Sequence, residues 1–192
     1  MSRLKAIETE YSGYKFRSRL EARWAVFFDV LGVEYRYEDE GYDLSSDSEM
    51  SKPLGNDTWY LPDFWLPQLN AWLEVKPTEP TKRELDKCVA LHCQGTHPVL
   101  IGVGEPGYGG LIVICHDATD SSGGLGIFHG CVWGMDHSRQ LAIETVFRPE
   151  RKTYMNEKWE IIPWLYGDDN LPAHPGLLLA VKSARQARFE QR

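Results

Sequence analysis

The chain has 192 residues, with 28 acidic against 21 basic side chains and a formal net charge of −7. That length allows one domain with a sizeable core, and 42% hydrophobic with 26% charged residues is the balance of an ordinary globular chain. No run of about 18 apolar residues occurs, which argues against a helical membrane span, and the opening MSRLKAIETEYSGYKF lacks the apolar stretch of a secretory signal.

A cytoplasmic protein is therefore expected, or one in the host cytoplasm if the chain is phage-encoded. Cys88, Cys93, Cys115 and Cys131 form no CxxC pair, so reduced thiols, mostly buried, are expected rather than a disulfide framework. The acidic balance neither supports nor excludes nucleic acid, because binding depends on where the charges lie. Acidic residues dominate from Asp43 to Glu79, while basic ones gather near the first helix and at the C-terminus.

Residues 1–15 show little periodicity and read as a flexible lead. From Phe16 to Leu31 the set Phe16, Leu20, Trp24, Phe27, Phe28 and Leu31 recurs at helical spacing, and Gly32 supplies a stop. VEYRYE then alternates as a half-buried strand does. Between Asp43 and Thr58 a Ser/Asp/Gly/Pro-rich stretch predicts an exposed loop. Trp59–Leu66 and Ala71–Val75 read as a hairpin around Pro67-Gln68-Leu69-Asn70, with Pro62 demoting part of the first run to an edge, end or bulge.

Thr81 is a candidate cap for a helix to about Gln94, and Pro98–Val103 fits a buried strand. Leu111–Cys115 and Ile127–Trp133 suggest further strands, residues 139–165 resist assignment, and Leu177–Phe189 predicts a helix. No repeat or linker divides the chain.

The chemistry concentrates in Pro62-Asp63 and Glu74-Val75-Lys76. Period-2 geometry puts Glu74 and Lys76 on one strand face, and hairpin pairing would bring Asp63 near Glu74. Two close carboxylates repel unless a cation sits between them. A hard divalent ion takes such oxygen ligands, polarises a phosphoryl group and acidifies a bound water. A nearby lysine can orient that water or stabilise developing negative charge. Glu21, at the margin of the first helix's apolar stripe, offers a third carboxylate that could help hold a metal-bound water or a second metal.

Bland readings stand beside these. Asp63 could cap a turn, Glu74 and Lys76 could pair on an exposed face, and Glu21 could pair with Arg17 or Arg23. Because Trp72 shares the face of Glu74 while Leu73 and Val75 take the other, both faces read as partly buried, and a buried glutamate needs a partner. Glu38 and Glu40 could flank the site, but read more simply as a solvated acidic strand end. Arg17, Arg19 and Arg23 are candidates for tracking phosphates, as is a C-terminal stripe of Lys182, Arg185, Arg188 and Arg192; a solvated helix face explains the first set equally simply and the stripe more simply. Trp59, Trp65 and Trp72 read mainly as core, although an exposed one could stack a base. His92/Cys93, Cys115/His116 and His129/Cys131 are zinc-ligand types, but their spacing fits no structural zinc pattern and none is expected. The glycines from Gly102 to Gly110 lack the closing GK[ST] of a P-loop.

The order helix with Glu21, strand, Asp63 strand, Glu74-Val75-Lys76 strand, helix, strand resembles the core of the PD-(D/E)XK nuclease superfamily, the restriction-endonuclease-like fold. F-R-S-R-L-E-A-R-W-A, L-P-D-F and L-E-V-K-P resemble nuclease-like proteins of actinobacteria and their phages, and endonuclease subunits that cut transposon ends. The core likeness covers about residues 16–104, and S-A-R-Q-A-R-F-E extends the phage-type likeness to the C-terminus.

The resemblance implies an α/β fold, a mixed sheet flanked by helices, with residues 105–192 as a strand-rich and helical extension packed on the core. It implies Mg²⁺ or Mn²⁺ held by Asp63, Glu74 and the Val75 carbonyl, with Lys76 as the catalytic lysine and Glu21 as the first-helix acid. The expected function is metal-dependent phosphodiester cleavage, with DNA as the expected substrate. The superfamily also includes members that bind without cutting. Many nucleases of this fold act as dimers, which leaves a homodimer open, although no isologous interface can be read here.

Overall fold

A computed structural model describes residues 6–45, 52–95, 97–107, 111–116, 124–135, 141–146, 152–155, 161–163 and 175–189. Only the backbone is described at 130, 132–135, 141–146, 152–155, 161–163 and 175. The chain begins with a hairpin, β1 (Thr9–Tyr11) and β2 (Tyr14–Phe16), where the sequence reading expects a flexible lead. Ser12 and Gly13 both take positive φ, 49° and 84°, the geometry a two-residue hairpin turn demands. Phe16 accordingly belongs to a strand and not to the first helix.

That helix, α1 (Arg19–Leu31), starts at Ser18, whose side chain accepts from the Glu21 N–H, and ends at Gly32 in the left-handed region. The expected strand from Val33 shrinks to β3 (Arg36–Tyr37), since Glu38 turns the chain with φ 46°. The expected Trp59–Leu66 strand also divides. β5 (Trp59–Tyr60) pairs with β4 (Tyr42–Asp43), while β6 (Phe64–Leu66) pairs with β3 and β7 (Ala71–Lys76). Pro62 lies between, where the chain leaves one sheet for the other. Within the predicted exposed loop, Leu44 and Leu54 are both buried.

α2 (Lys82–Gly95) begins with a reciprocal cap: Thr81 N–H donates to Glu84 Oε2 at 2.8 Å, and Glu84 N–H donates to Thr81 Oγ1 at 3.3 Å. It leads into β8 (Val99–Val103), parallel to β7, as a helical crossover requires. β9 (Leu111–His116) and β10 (Leu125–Met135) follow antiparallel. Three strands then occupy the span without a sequence assignment: β11 (Leu141–Val146), β12 (Lys152–Met155) and β13 (Ile161–Pro163). α3 (Pro175–Gln186) closes the order.

The main sheet runs β13-β12-β11-β10-β9-β8-β7-β6-β3 and is antiparallel except at β7–β8. Alternate residues sort its two faces. Leu73, Val75, Leu100, Leu111 and Val113 join α1 and α3 in one core. Trp72, Val99, Ile101, Ile112 and Ile114 join α2 in the other. The protein is thus α/β, a mixed sheet between helices. No helix among the described residues is long and apolar enough to cross a membrane.

Candidate active site

The β6–β7 register places Phe64 opposite Leu73, so the next step of the ladder would set Pro62 opposite Val75. Pro62 has no N–H to donate, and the ladder stops there. Trp72 N–H donates to Pro98 O at 3.0 Å, and Gly104 N–H donates to Lys76 O at 2.7 Å, so even-numbered residues of β7 bond toward β8. The backbone of Val75 therefore faces the β6 side. Its N–H donates to Asp63 Oδ2 at 2.7 Å, and its carbonyl faces the same edge, opposite a proline with no N–H to offer. A broken ladder thus fixes the Asp63 carboxylate beside β7.

Asp63 and Glu74 are both buried, at 2% and 4% exposure. Burial, reinforced by the negative charges of Glu74 and Glu21, holds the Asp63 carboxyl well above the usual aspartate range, despite the Val75 N–H and the Arg17 guanidinium. Glu74 Oε1 lies 2.8 Å from Lys76 Nζ, while its Oε2 is buried with no hydrogen-bond partner. The Tyr60 hydroxyl lies close by, and burial together with Cys88 and Glu74 raises it well above the ordinary tyrosine value. Tyr60 Oη and Cys88 Sγ lie 3.3 Å apart, with either able to donate, and no hydrogen bond of good geometry reaches Glu74 Oε2.

Lys76 also reaches Glu84 Oε1 at 3.2 Å. Burial disfavours its charge, but Glu74 and Glu84 outweigh burial and raise it above the ordinary lysine value. Arg17 contacts Asp63 Oδ1 through its guanidinium, and its Nε lies 2.7 Å from Glu38 Oε1. The second contact is an ion pair by distance only, since Glu38 Oε1 accepts no well-aimed hydrogen bond. Glu38 is held here by its backbone N–H, which donates to Asp63 O at 2.9 Å.

Glu21 is engaged on both oxygens. Oε2 accepts from Arg17 N–H at 3.0 Å and from the Tyr37 hydroxyl at 2.5 Å, and Oε1 accepts from Ser18 Oγ at 2.7 Å. Here it secures the start of α1 while contributing negative charge to Asp63.

Arg17, Glu21, Trp59, Asp63, Glu74, Val75 and Lys76 all line one cleft of about 350 Å³. The expected set Glu21, Asp63, Glu74, Val75 and Lys76 is therefore brought together, with Arg17 added. Trp59 is the exposed tryptophan of its group, at 65%, whereas Trp65 and Trp72 pack against each other at 4.6 Å. Arg19, Arg23, Arg185 and Arg188 do not line this cleft. Arg23 pairs with Glu105, Arg185 Nε donates to Pro106 O at 3.1 Å, and Arg192 falls outside the described residues. The reading of Glu38 as a solvated strand end is corrected, and Glu84 joins the site unforeseen. Only the Thr81-x-x-Glu84 capping pattern marked Glu84's position in the sequence.

Among the described residues no three His, Cys, Asp or Glu side chains gather as a ready-made metal cluster. The His92 and His116 rings lie 4.7 Å apart, tilted by 60°, and His92 bonds His97 O through Nδ1 at 2.7 Å while its Nε2 is buried without a partner. None of the four cysteines forms a disulfide; Cys88, Cys115 and Cys131 are buried and Cys93 is exposed. The donors that suit a hard cation are two carboxylates and a backbone carbonyl, those of Asp63, Glu74 and Val75. The unsatisfied Glu74 oxygen is the observation that such an ion would answer. No family model matches the chain, and neither curated proteins nor solved structures give a match.

Proposed function

We propose that the protein is a metal-dependent nuclease of the PD-(D/E)XK type, with a restriction-endonuclease-like core, acting on phosphodiester bonds of DNA. The observation that carries this reading is the convergence of buried Asp63 and Glu74 with Lys76 in one cleft, Glu74 Oε2 lacking a partner. Asp63, Glu74 and the Val75 carbonyl would hold Mg²⁺ or Mn²⁺. When bound, that ion supplies Lewis-acid polarisation of the phosphoryl oxygen and an acidified water.

The remaining chemistry belongs to side chains. Lys76, kept protonated by two carboxylates, orients the nucleophile or stabilises charge developing on the phosphate. Glu21 fixes the start of α1, and with it Arg17, against Asp63. The exposed Trp59 offers a π face at the rim.

Single- and double-stranded DNA and RNA, incubated with Mg²⁺, Mn²⁺ or EDTA, test the assignment. Cleavage of DNA is expected to vanish in EDTA and to fall at least about 100-fold, some 2.7 kcal/mol of barrier, in Asp63→Ala and Lys76→Ala. Cleavage that persists in both variants would place the site elsewhere. A second reading, a nucleic-acid- or partner-binding module that keeps the fold without turnover, draws support from Arg17 occupying Asp63. It predicts binding that survives both substitutions, with no cleavage under any metal.

A further inference from the structure

Asp63 already has a cation. The Arg17 guanidinium lies on Oδ1, the oxygen left after Oδ2 takes the Val75 N–H. The same guanidinium reaches Glu38 with Nε, 2.7 Å from Oε1. Three features place this bridge deliberately. The Arg17 backbone N–H is bound by both Glu21 Oε2 and the Tyr37 hydroxyl, each at 3.0 Å. Glu38 sits in a left-handed conformation, φ 46°, that a glutamate adopts only at a cost. Its N–H is tied to the carbonyl of Asp63 itself, at 2.9 Å. The backbone is thus bent to deliver a second carboxylate to the arginine that neutralises the first.

A divalent cation and a guanidinium on one aspartate repel each other. That repulsion acts at contact distance in a partly buried cleft, where solvent screens it far less than in bulk water. Resting on the metal-site reading above, we propose that Arg17 is an internal counter-cation which a divalent ion displaces from Asp63, and that Glu38 is the positioning residue that retains it. Held by Glu38, the freed guanidinium stays at the mouth of the cleft, where a phosphate enters. Entry of the metal is then an exchange of cations on Asp63, and Arg17 sets the affinity.

Calorimetric titration of the whole protein with Mn²⁺ at pH 8, without nucleic acid, tests this. Arg17→Gln is expected to bind Mn²⁺ roughly ten-fold more tightly or better, with Asp63→Ala as the control that abolishes binding. Arg17→Lys keeps the charge but not the fork that spans two carboxylates, so its affinity should fall between wild type and Arg17→Gln. That variant keeps the test open should Arg17→Gln fail to fold. Glu38→Gln should weaken Mn²⁺ binding in the wild-type background and lose most of that effect beside Arg17→Gln. Additive effects of the two substitutions would overturn the role of Glu38. Equal Mn²⁺ affinity in wild type, Arg17→Gln and Arg17→Lys would overturn that of Arg17 while leaving the metal site standing. Absence of Mn²⁺ binding in every variant would remove both.

Discussion

Asp63 is an acid held above its ordinary range by burial and by the charges of Glu74 and Glu21, and that direction has a consequence for stability. An aspartate in an unfolded chain releases its proton near pH 4. In the folded, metal-free protein the proton is retained to higher pH, so the native state binds more protons across the interval. The contribution of Asp63 is therefore fully present below the unfolded value and is lost as pH rises through the folded one. Asp63→Asn cannot titrate. The difference in unfolding free energy between wild type and Asp63→Asn, measured by urea denaturation in EDTA, should decline as pH rises from about 4 toward 8. Mg²⁺ at pH 8 should recover part of it, because it favours the ionised carboxylate. A difference flat with pH would show that Asp63 is ionised throughout.

At the scale of elements, the site depends on how closely α1 approaches β8. Gly102 allows this: a Cβ there would stand 2.6 Å from Trp24 Cζ2. The Trp24 Nε1–H donates to Gly104 O at 3.0 Å, so the indole locks helix to strand end two residues further on. Gly102→Ala should cost about 1–3 kcal/mol through overpacking, seen as a lower midpoint in thermal melts, and should lower cleavage with it by displacing α1. Much of this arrangement is legible in the sequence. The alternation of Trp72, Leu73, Glu74, Val75 and Lys76 gives the faces of β7 directly, since a period of two has one solution once one face is buried. The helix expected from Phe16 begins only at Arg19, because apolar periodicity does not register the Ser18 cap on the Glu21 N–H. Glu38 could not be placed from periodicity either. Its position depends on a positive φ and on a bond to Asp63, 25 residues away in the chain. The division of Trp59–Leu66 between two sheets is likewise tertiary, for periodicity reports burial and not partners.

For the whole molecule, the charge of −7 and the local balance of the cleft point the same way. In the cleft Glu21, Asp63 and Glu74 face Arg17 and Lys76, and both cations are already paired, Arg17 with Asp63 and Glu38 and Lys76 with Glu74 and Glu84. The exposed basic residues of α3 do not offset this at the cleft, because none of them lines it. A polyanion approaching such a site is repelled until the carboxylates are neutralised, so on the nuclease reading counterion release from a basic surface would not be the main source of affinity. Divalent cations should then act as part of the binding surface as well as of the chemistry. Fluorescence anisotropy of labelled DNA at physiological salt should show weak binding in EDTA and at least about ten-fold tighter binding, 1.4 kcal/mol, with Ca²⁺, which takes the same hard oxygen donors as Mg²⁺. Asp63→Ala should lose the gain from Ca²⁺ while changing little in EDTA. Equal affinity with and without the ion would show that DNA is held by a surface elsewhere on the protein, and the exposed Lys182 of α3 with Arg188 just beyond the helix is the first place to substitute.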